Sequence, residues 1–341
     1  MENNRVEQWV RPNILALKPY VSFRDSIQSD AYLKFDANEN PFGDYNRYPD
    51  STQSKLRERL AQIKSVSSAQ IAIGNGSDEL IDLIIKIFCR PGKDAIAVMK
   101  PSFAMYEFYA NINENEVIEI ELDANFCLTK EEFLSKTKES NAKVLFLCSP
   151  NNPTGNSITD LEFYIKNFEG IVVVDEAYIE FSSQGSILSK LKEYDNLIVL
   201  QTLSKAWGLA GLRVGMAIAS SFIISLFNRT KSPYNISEIN MKTALKELSN
   251  LEIFKLKLNS VNLIKERLFN ALQVAKSVKK VYPSDANFFL IEFEDGEKAY
   301  DILLEQQILT SKRFPSIPNA LRINVGTIEE TEKLIKIVKM I

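Results

Sequence analysis

The chain has 341 residues, 45% hydrophobic and 25% charged, with 41 basic against 44 acidic side chains and a net charge of −3. That balance argues against nucleic-acid or membrane-surface partners, and no apolar run approaches the roughly 18 residues of a membrane span. There is no histidine, so acid–base chemistry near neutral pH must come from lysine, tyrosine, a carboxylate, cysteine or a cofactor.

The opening MENNRVEQWV lacks the basic-then-apolar pattern of an export signal, and a cytoplasmic protein is expected. The next distinctive element is the run Gln70-Ile-Ala-Ile, followed by Gly74–Glu79 (GNGSDE) and an apolar helix predicted to open at Leu80. Lys143-Val-Leu-Phe-Leu-Cys, Ile171-Val-Val-Val and Leu197-Ile-Val-Leu-Gln read as further strands. All four runs are continuous rather than alternating, as in a parallel sheet covered on both faces, and the class is α/β. The polar stretch around Pro233 marks a boundary. Beyond it come a long helix (251–275), a strand over Ala286–Phe293 and a terminal helix with Thr327 and Glu330 spaced as a capping box. The predicted division is a large domain over 41–235, with residues 1–40 and 236–341 forming an N-terminal arm and a smaller α+β domain. Cys89, Cys127 and Cys148 are few, odd in number and in or beside apolar runs, so they are expected to be reduced core residues; no CxxC metal spacing occurs.

Each of the four strands runs directly into an unusual polar loop: GNGSDE, Ser149–Gly155 (SPNNPTG), Asp175–Tyr178 (DEAY) and Thr202–Lys205 (TLSK). Strands sharing one direction bring these loops to one edge, the carboxyl edge where open α/β sheets bind ligands. Singly, each has a bland reading. GNGSDE is as much a capped helix start, with Ser77 or Asp78 as N-cap, as an anion site, and its Glu79 stands where a dinucleotide-binding GxGxxG needs glycine. SPNNPTG is rich in turn formers, Asp175 alone is a helix cap and Lys205 alone a solvated lysine. As a set they demand one chemistry. A partly desolvated Lys205 attacks aldehydes; the helix N-terminus, Ser204 and Arg213 suit a phosphate; and a buried Asp175, which needs a cationic partner, keeps a pyridinium protonated. An aldehyde, a phosphate and a pyridine on one molecule is pyridoxal 5′-phosphate.

The ordered motifs NENPFG (38–43), GNGSDE, PSFAMY (101–106), SPNNPTG, DEAY, TLSKAWGLAGLR (202–213) and ALRINVGT (320–327), with RPNILALKPY and NRYPD (46–50), cover nearly the whole chain. Together they resemble the fold-type-I pyridoxal-phosphate aminotransferases, most closely the histidinol-phosphate aminotransferase branch. The resemblance implies a mostly parallel central sheet flanked by helices, plus a smaller domain. It implies that Lys205 is the Schiff-base lysine and proton carrier, that Asp175 pairs with the pyridine nitrogen, and that Asn152 and Tyr178 bond the phenolic oxygen. The backbone of Ser77 and Asp78, with Thr202, Ser204 and Arg213, would hold the phosphate. Phe103 would stack on the ring, Arg322 clamp the α-carboxylate and Tyr20 line the substrate end. Tyr48 would reach the neighbouring subunit's site, implying a homodimer.

Glutamate/2-oxoglutarate is the implied amino-group partner, and histidinol phosphate/imidazole acetol phosphate the implied phosphorylated one. Another small phosphorylated ketone, such as dihydroxyacetone phosphate in amino-sugar or surface-polysaccharide synthesis, is the alternative, and decarboxylation of a phosphorylated amino acid a third. A regulator built on this module would need an added DNA-binding domain, and none is expected ahead of NENPFG. Two departures lie at the substrate end. PYVSFR replaces the commoner PYxSAR, and Thr310 falls where relatives carry an arginine, leaving Lys312 and Arg313 as alternative replacements.

Overall fold

The computed structural model describes residues 5–19, 24 and 32–341. The first sheet has seven strands: β1 (Ile71–Asn75), β2 (Ala95–Lys100), β3 (Glu116–Glu121), β4 (Ala142–Cys148), β5 (Ile171–Asp175), β6 (Leu197–Thr202) and β7 (Val214–Ala219), in the order β1-β7-β6-β5-β4-β2-β3. Strands β2 to β6 pair in parallel, whereas β7 is antiparallel to both its neighbours, so β1 still points the same way as β4, β5 and β6. The four expected loops therefore leave one edge. Every residue of β5, β6 and β7 is buried, because helices cover both faces and leave no place for alternating polar side chains. The helix Gly76–Phe88, with Leu80, Ile81, Ile84, Ile85 and Phe88 buried, shields one face.

The second sheet is wholly antiparallel, ordered β10-β11-β9-β8 over Val278–Val281 (β8), Phe288–Phe293 (β9), Ser311–Lys312 (β10) and Ala320–Asn324 (β11). Its own core gathers Leu268, Leu272, Phe289, Ile291, Leu303, Leu321 and Leu334 from the sheet and the helices Leu251–Gln273, Gly296–Glu305 and Ile328–Val338. The terminal helix does open on the expected capping box, with Thr327 accepting from Glu330 N and Glu330 from Thr327 N. Among the described residues no helix is long and apolar enough to cross a membrane.

Four sequence expectations are corrected. The helix after β1 starts at Gly76 rather than Leu80, and Ser77 and Asp78 lie inside its first turn; Glu79 reaches back to bond Asn75 N at 2.5 Å. Gln70 ends a short 3₁₀ turn and is not in β1. Cys127 is exposed, since it sits in the turn that Asp123 caps rather than on a strand; Cys89 and Cys148 are buried. The described start of the N-terminal segment, residues 6–15, packs with the large sheet's core rather than with the small domain. Val6, Val10 and Ile14 are buried there, and Arg11 N bonds Ile87 O at 3.1 Å.

Candidate active site

The corner expected to take the phosphate is built where β1 and β6 finish and β7 begins. The backbone N–H groups of Ser77 and Asp78 belong to a first helical turn, which has no intrahelical acceptors for them and carries the positive end of the helix dipole. Two glycines make the cradle. Gly76 has φ +75°, and a Cβ there would stand 2.5 Å from Arg213 Nη2; one on Gly215 would stand 2.4 Å from both Gly76 C and Ser77 N. Arg213 itself sits at φ 53° with its carbonyl bound to Gly76 N at 2.8 Å, and its Nη2 meets Asp78 Oδ2 at 3.0 Å. Thr202 Oγ1, donating to Val214 O at 3.2 Å, accepts from Ser204 N at 3.1 Å and lies 3.0 Å from Ser204 Oγ. The five residues expected at the phosphate thus converge on one tight anion-shaped corner.

The ring end is at the tip of β5. Asp175 is buried, its Oδ1 accepting from Ala177 N at 3.1 Å and its Oδ2 from the Tyr106 hydroxyl at 2.7 Å. Burial pushes its carboxyl up to about 6; the two hydrogen bonds and the charge of Lys205 pull the other way, and Asp78 adds to the rise. Within the chain its side-chain partner is therefore a phenol. Lys205 Nζ lies 5.4 Å from the Tyr178 ring centroid. The lysine is open to solvent on one side, yet desolvation on the other, helped by Arg322, lowers its pKa toward the nucleophilic free amine. Tyr178 is buried edge-on to Phe288, with centroids 5.2 Å apart, and desolvation keeps its phenol protonated. Phe103 is half-buried, 5.6 Å from Tyr106 and edge-on to it.

The substrate end joins the two sheets. Arg322 on β11 lies over the Phe288 ring at 5.3 Å and donates to Asn152 Oδ1, which leaves the Asn152 amide as the part able to donate to an anionic oxygen. Gly155 and Ser284 close the same seam: a Cβ on Gly155 would stand 2.5 Å from Ser284 Oγ, and Asp285 N bonds Gly155 O at 2.7 Å.

Strand register decides which basic residue after Thr310 shares a sheet face with Arg322. Ser311 stands opposite Arg322 and Lys312 opposite Leu321, and Arg313 N continues the ladder to Ala320 O. Side chains alternate, so Arg313 shares Arg322's face while Lys312 takes the other. Lys312 indeed pairs with Glu297 at 2.7 Å and lies over Tyr300 at 4.2 Å. Arg313 donates to Ser311 Oγ, and burial together with Arg322 lowers its pKa. Among the described residues neither guanidinium has a carboxylate at ion-pair distance, and both Nε atoms are buried without a partner. Thr310 Oγ1 is also buried and unpartnered.

Tyr48 is 52% exposed and stacks on Tyr234 at 4.5 Å, beside an open groove between residues 32–55 and 234–242. Its turn is anchored by Glu39, which accepts from Tyr48 N, Arg24 and Arg47 and is held down at about 2, chiefly by Arg24. Tyr20 lies outside the described residues. Tyr106 and Phe288 carry no expectation from sequence, because nothing in PSFAMY or in an apolar strand says which ring will meet the site.

A family model for aminotransferase class I and II matches residues 25–338. The chain belongs to the class I and II aminotransferases. It is 46% identical to a histidinol-phosphate aminotransferase of Parabacteroides distasonis over 335 residues, 97% of each chain. A second, from Flavobacterium psychrophilum, is 44% identical over 99% of both chains. Among solved structures, a histidinol-phosphate aminotransferase from Clostridium acetobutylicum superposes with a TM-score of 0.80 at 25% identity, covering 91% of this chain and 98% of that one. One from Sinorhizobium meliloti, in complex with pyridoxal 5′-phosphate, gives 0.79 at 20% identity over 99% of this chain and 89% of its own. This aminotransferase is an enzyme dependent on pyridoxal 5′-phosphate, and the glycine cradle, Asp175 and Lys205 fit that group at its phosphate, its ring and its aldehyde.

Proposed function

We propose that the enzyme transfers an amino group between glutamate/2-oxoglutarate and histidinol phosphate/imidazole acetol phosphate. The observation that carries the reading is the pair Arg313 and Arg322 on one face of the small sheet, neither with a carboxylate at ion-pair distance among the described residues. Two partly desolvated guanidiniums without a protein carboxylate repel each other, and a bound dianion offsets that repulsion. A phosphate ester does so more completely than a neutral or singly charged side chain. The full-length likeness to histidinol-phosphate aminotransferases supports the same choice.

When bound, pyridoxal phosphate supplies an aldehyde that captures the amine and a ring that accepts electrons from the substrate's Cα. The proposed roles of the chain follow from the geometry. The first turn from Gly76, with Thr202, Ser204 and Arg213, holds the phosphate. Asp175 holds a proton on the ring nitrogen, and Asn152 and Tyr178 donate to the phenolic oxygen. Lys205, kept partly desolvated, takes the proton from Cα and returns it at the other end of the transfer. Arg322 orients a carboxylate or phosphate of the amino-group partner; Tyr20 is kept for the same end on the resemblance alone.

The enzyme is proposed to act as a cytoplasmic homodimer. Leu33, Phe35 and Tyr45 expose 87, 92 and 75% of their surface around the groove that holds Tyr48, which a second copy would cover. Residues 1–40 and 236–341 remain proposed as the arm and small domain, with the arm's first helix docked on the large one.

The deciding experiment is a kinetic panel of histidinol phosphate, histidinol, dihydroxyacetone phosphate and a phosphorylated amino acid, each with the keto or amino partner it needs. The reading requires kcat/KM to be highest for histidinol phosphate and to fall steeply for histidinol. A preference for dihydroxyacetone phosphate, or release of CO₂ from the phosphorylated amino acid, overturns it.

A further inference from the structure

Tyr106 performs none of the roles described above, yet it makes the one side-chain hydrogen bond to Asp175 among the described residues. It lies in the first turn of the helix Met105–Ile112 and is fully buried, its ring stacked on Phe146 at 4.6 Å and edge-to-face with Phe103 at 5.6 Å. Those contacts hold the hydroxyl on Asp175 Oδ2 while the backbone of Ala177 holds Oδ1. A carboxylate this deeply buried is costly unless donors satisfy it. The charged and titratable groups that face it are few. Tyr106 and Cys148 are both pushed up by burial and stay protonated through the neutral range; Lys205 favours the anion and Asp78 disfavours it. The chain has no imidazole to assist.

We propose that Tyr106 is a positioning residue that acts through Asp175: by donating to Oδ2 it keeps the carboxylate ionised and aligned, so that the proton shared with the cofactor's ring nitrogen stays on nitrogen. The proposal rests on the reading of Asp175 as the ring-nitrogen partner. Its logic is a competition between two buried bases for one proton. A hydrogen bond donated to the anionic form lowers a carboxyl's basicity. Loss of that bond moves the proton from the ring nitrogen to Asp175 oxygen, with no change in electron count, and the ring becomes a poorer electron acceptor. A hydrogen bond to a charged group shifts the partition by about ten- to a hundredfold.

Tyr106→Phe keeps the ring that packs on Phe146 and removes only the oxygen. In holoenzyme loaded with ¹⁵N-labelled cofactor, the ring-nitrogen chemical shift reads protonation directly, without turnover. We expect it to move toward the unprotonated value in Tyr106→Phe, with the titration midpoint displaced about ten- to a hundredfold in proton concentration. In an Asp175→Asn background Tyr106→Phe should change nothing further. Replacing Tyr106 by 3-fluorotyrosine, a stronger donor of the same shape, should move the midpoint the opposite way and serves if the phenylalanine variant does not fold. A wild-type ring-nitrogen titration in Tyr106→Phe, or no response to fluorotyrosine, overturns the proposal. If Asp175→Asn itself leaves the ring nitrogen unchanged, the reading of Asp175 fails instead.

Discussion

Arg313→Met separates a substrate-binding guanidinium from a merely structural one, because the structure assigns it opposite effects on function and on stability. Its guanidinium shares a sheet face with Arg322, is half-buried, and among the described residues has one hydroxyl partner and no carboxylate. Burial and Arg322 both disfavour its charge. Removing it should relieve repulsion in the substrate-free enzyme, so the thermal midpoint should stay level or rise. With substrate present, one charge-assisted hydrogen bond to a phosphate oxygen is lost. That is roughly 1.5–3 kcal/mol, about ten- to 150-fold in kcat/KM for histidinol phosphate. Lys312→Met is the matched control. Its ammonium is engaged with Glu297 on the other face, and an exposed pair contributes about 0–1 kcal/mol, so kcat/KM should change by no more than about fivefold. The assay is steady-state kinetics on both variants with differential scanning of the apo proteins. Equal losses in both variants, or wild-type kinetics in Arg313→Met, would refute the face assignment and with it the dianion site.

Three further outcomes are expected. Gly215→Ala drives a methyl against Gly76 C and Ser77 N and should destabilise the protein by about 1–3 kcal/mol while weakening cofactor affinity; unchanged affinity in an equilibrium titration counts against the cradle. Asp175 and Glu176 both have folded pKa values raised by burial, to about 6 and about 7, so the folded state binds the extra protons and the stability they contribute at low pH is lost as pH rises through those values. For Asp175, from 3.8 to about 6, the loss is roughly 3 kcal/mol, and urea midpoints of the apoenzyme should fall between about pH 4 and 7 and level off above; a flat or rising profile across that window contradicts the buried carboxyls. Mixing inactive Tyr48→Ala and Lys205→Ala protomers should restore at most about a quarter of wild-type activity, one intact site per heterodimer, whereas none despite subunit exchange places Tyr48 in its own chain's site or in none.

Much of this was legible in the sequence because the chemistry is local to strand ends. Continuous apolar runs such as Ile171–Val174 can only be buried on both faces, and a parallel sheet then carries the polar residue that follows each run to the same edge. That reasoning put Asp175, Lys205, Thr202, Ser204 and the Gly74–Glu79 loop together without any knowledge of long-range contacts. The antiparallel β7 escaped it, since hydrophobic content reports burial and not direction, and so did the burial of Val6, Val10 and Ile14 in the large core. What only the tertiary structure decided is how side chains from distant segments face one another. Lys312 and Arg313 are equally basic neighbours, and the pairing of Ser311 with Arg322 sends one to the face of Glu297 and Tyr300 and the other to the face of Arg322. Asp175 signals in sequence only that it needs a partner. That the partner is the hydroxyl of Tyr106, 69 residues away, depends on a helix packed across the sheet, because a buried carboxylate takes whichever donor the fold brings within reach.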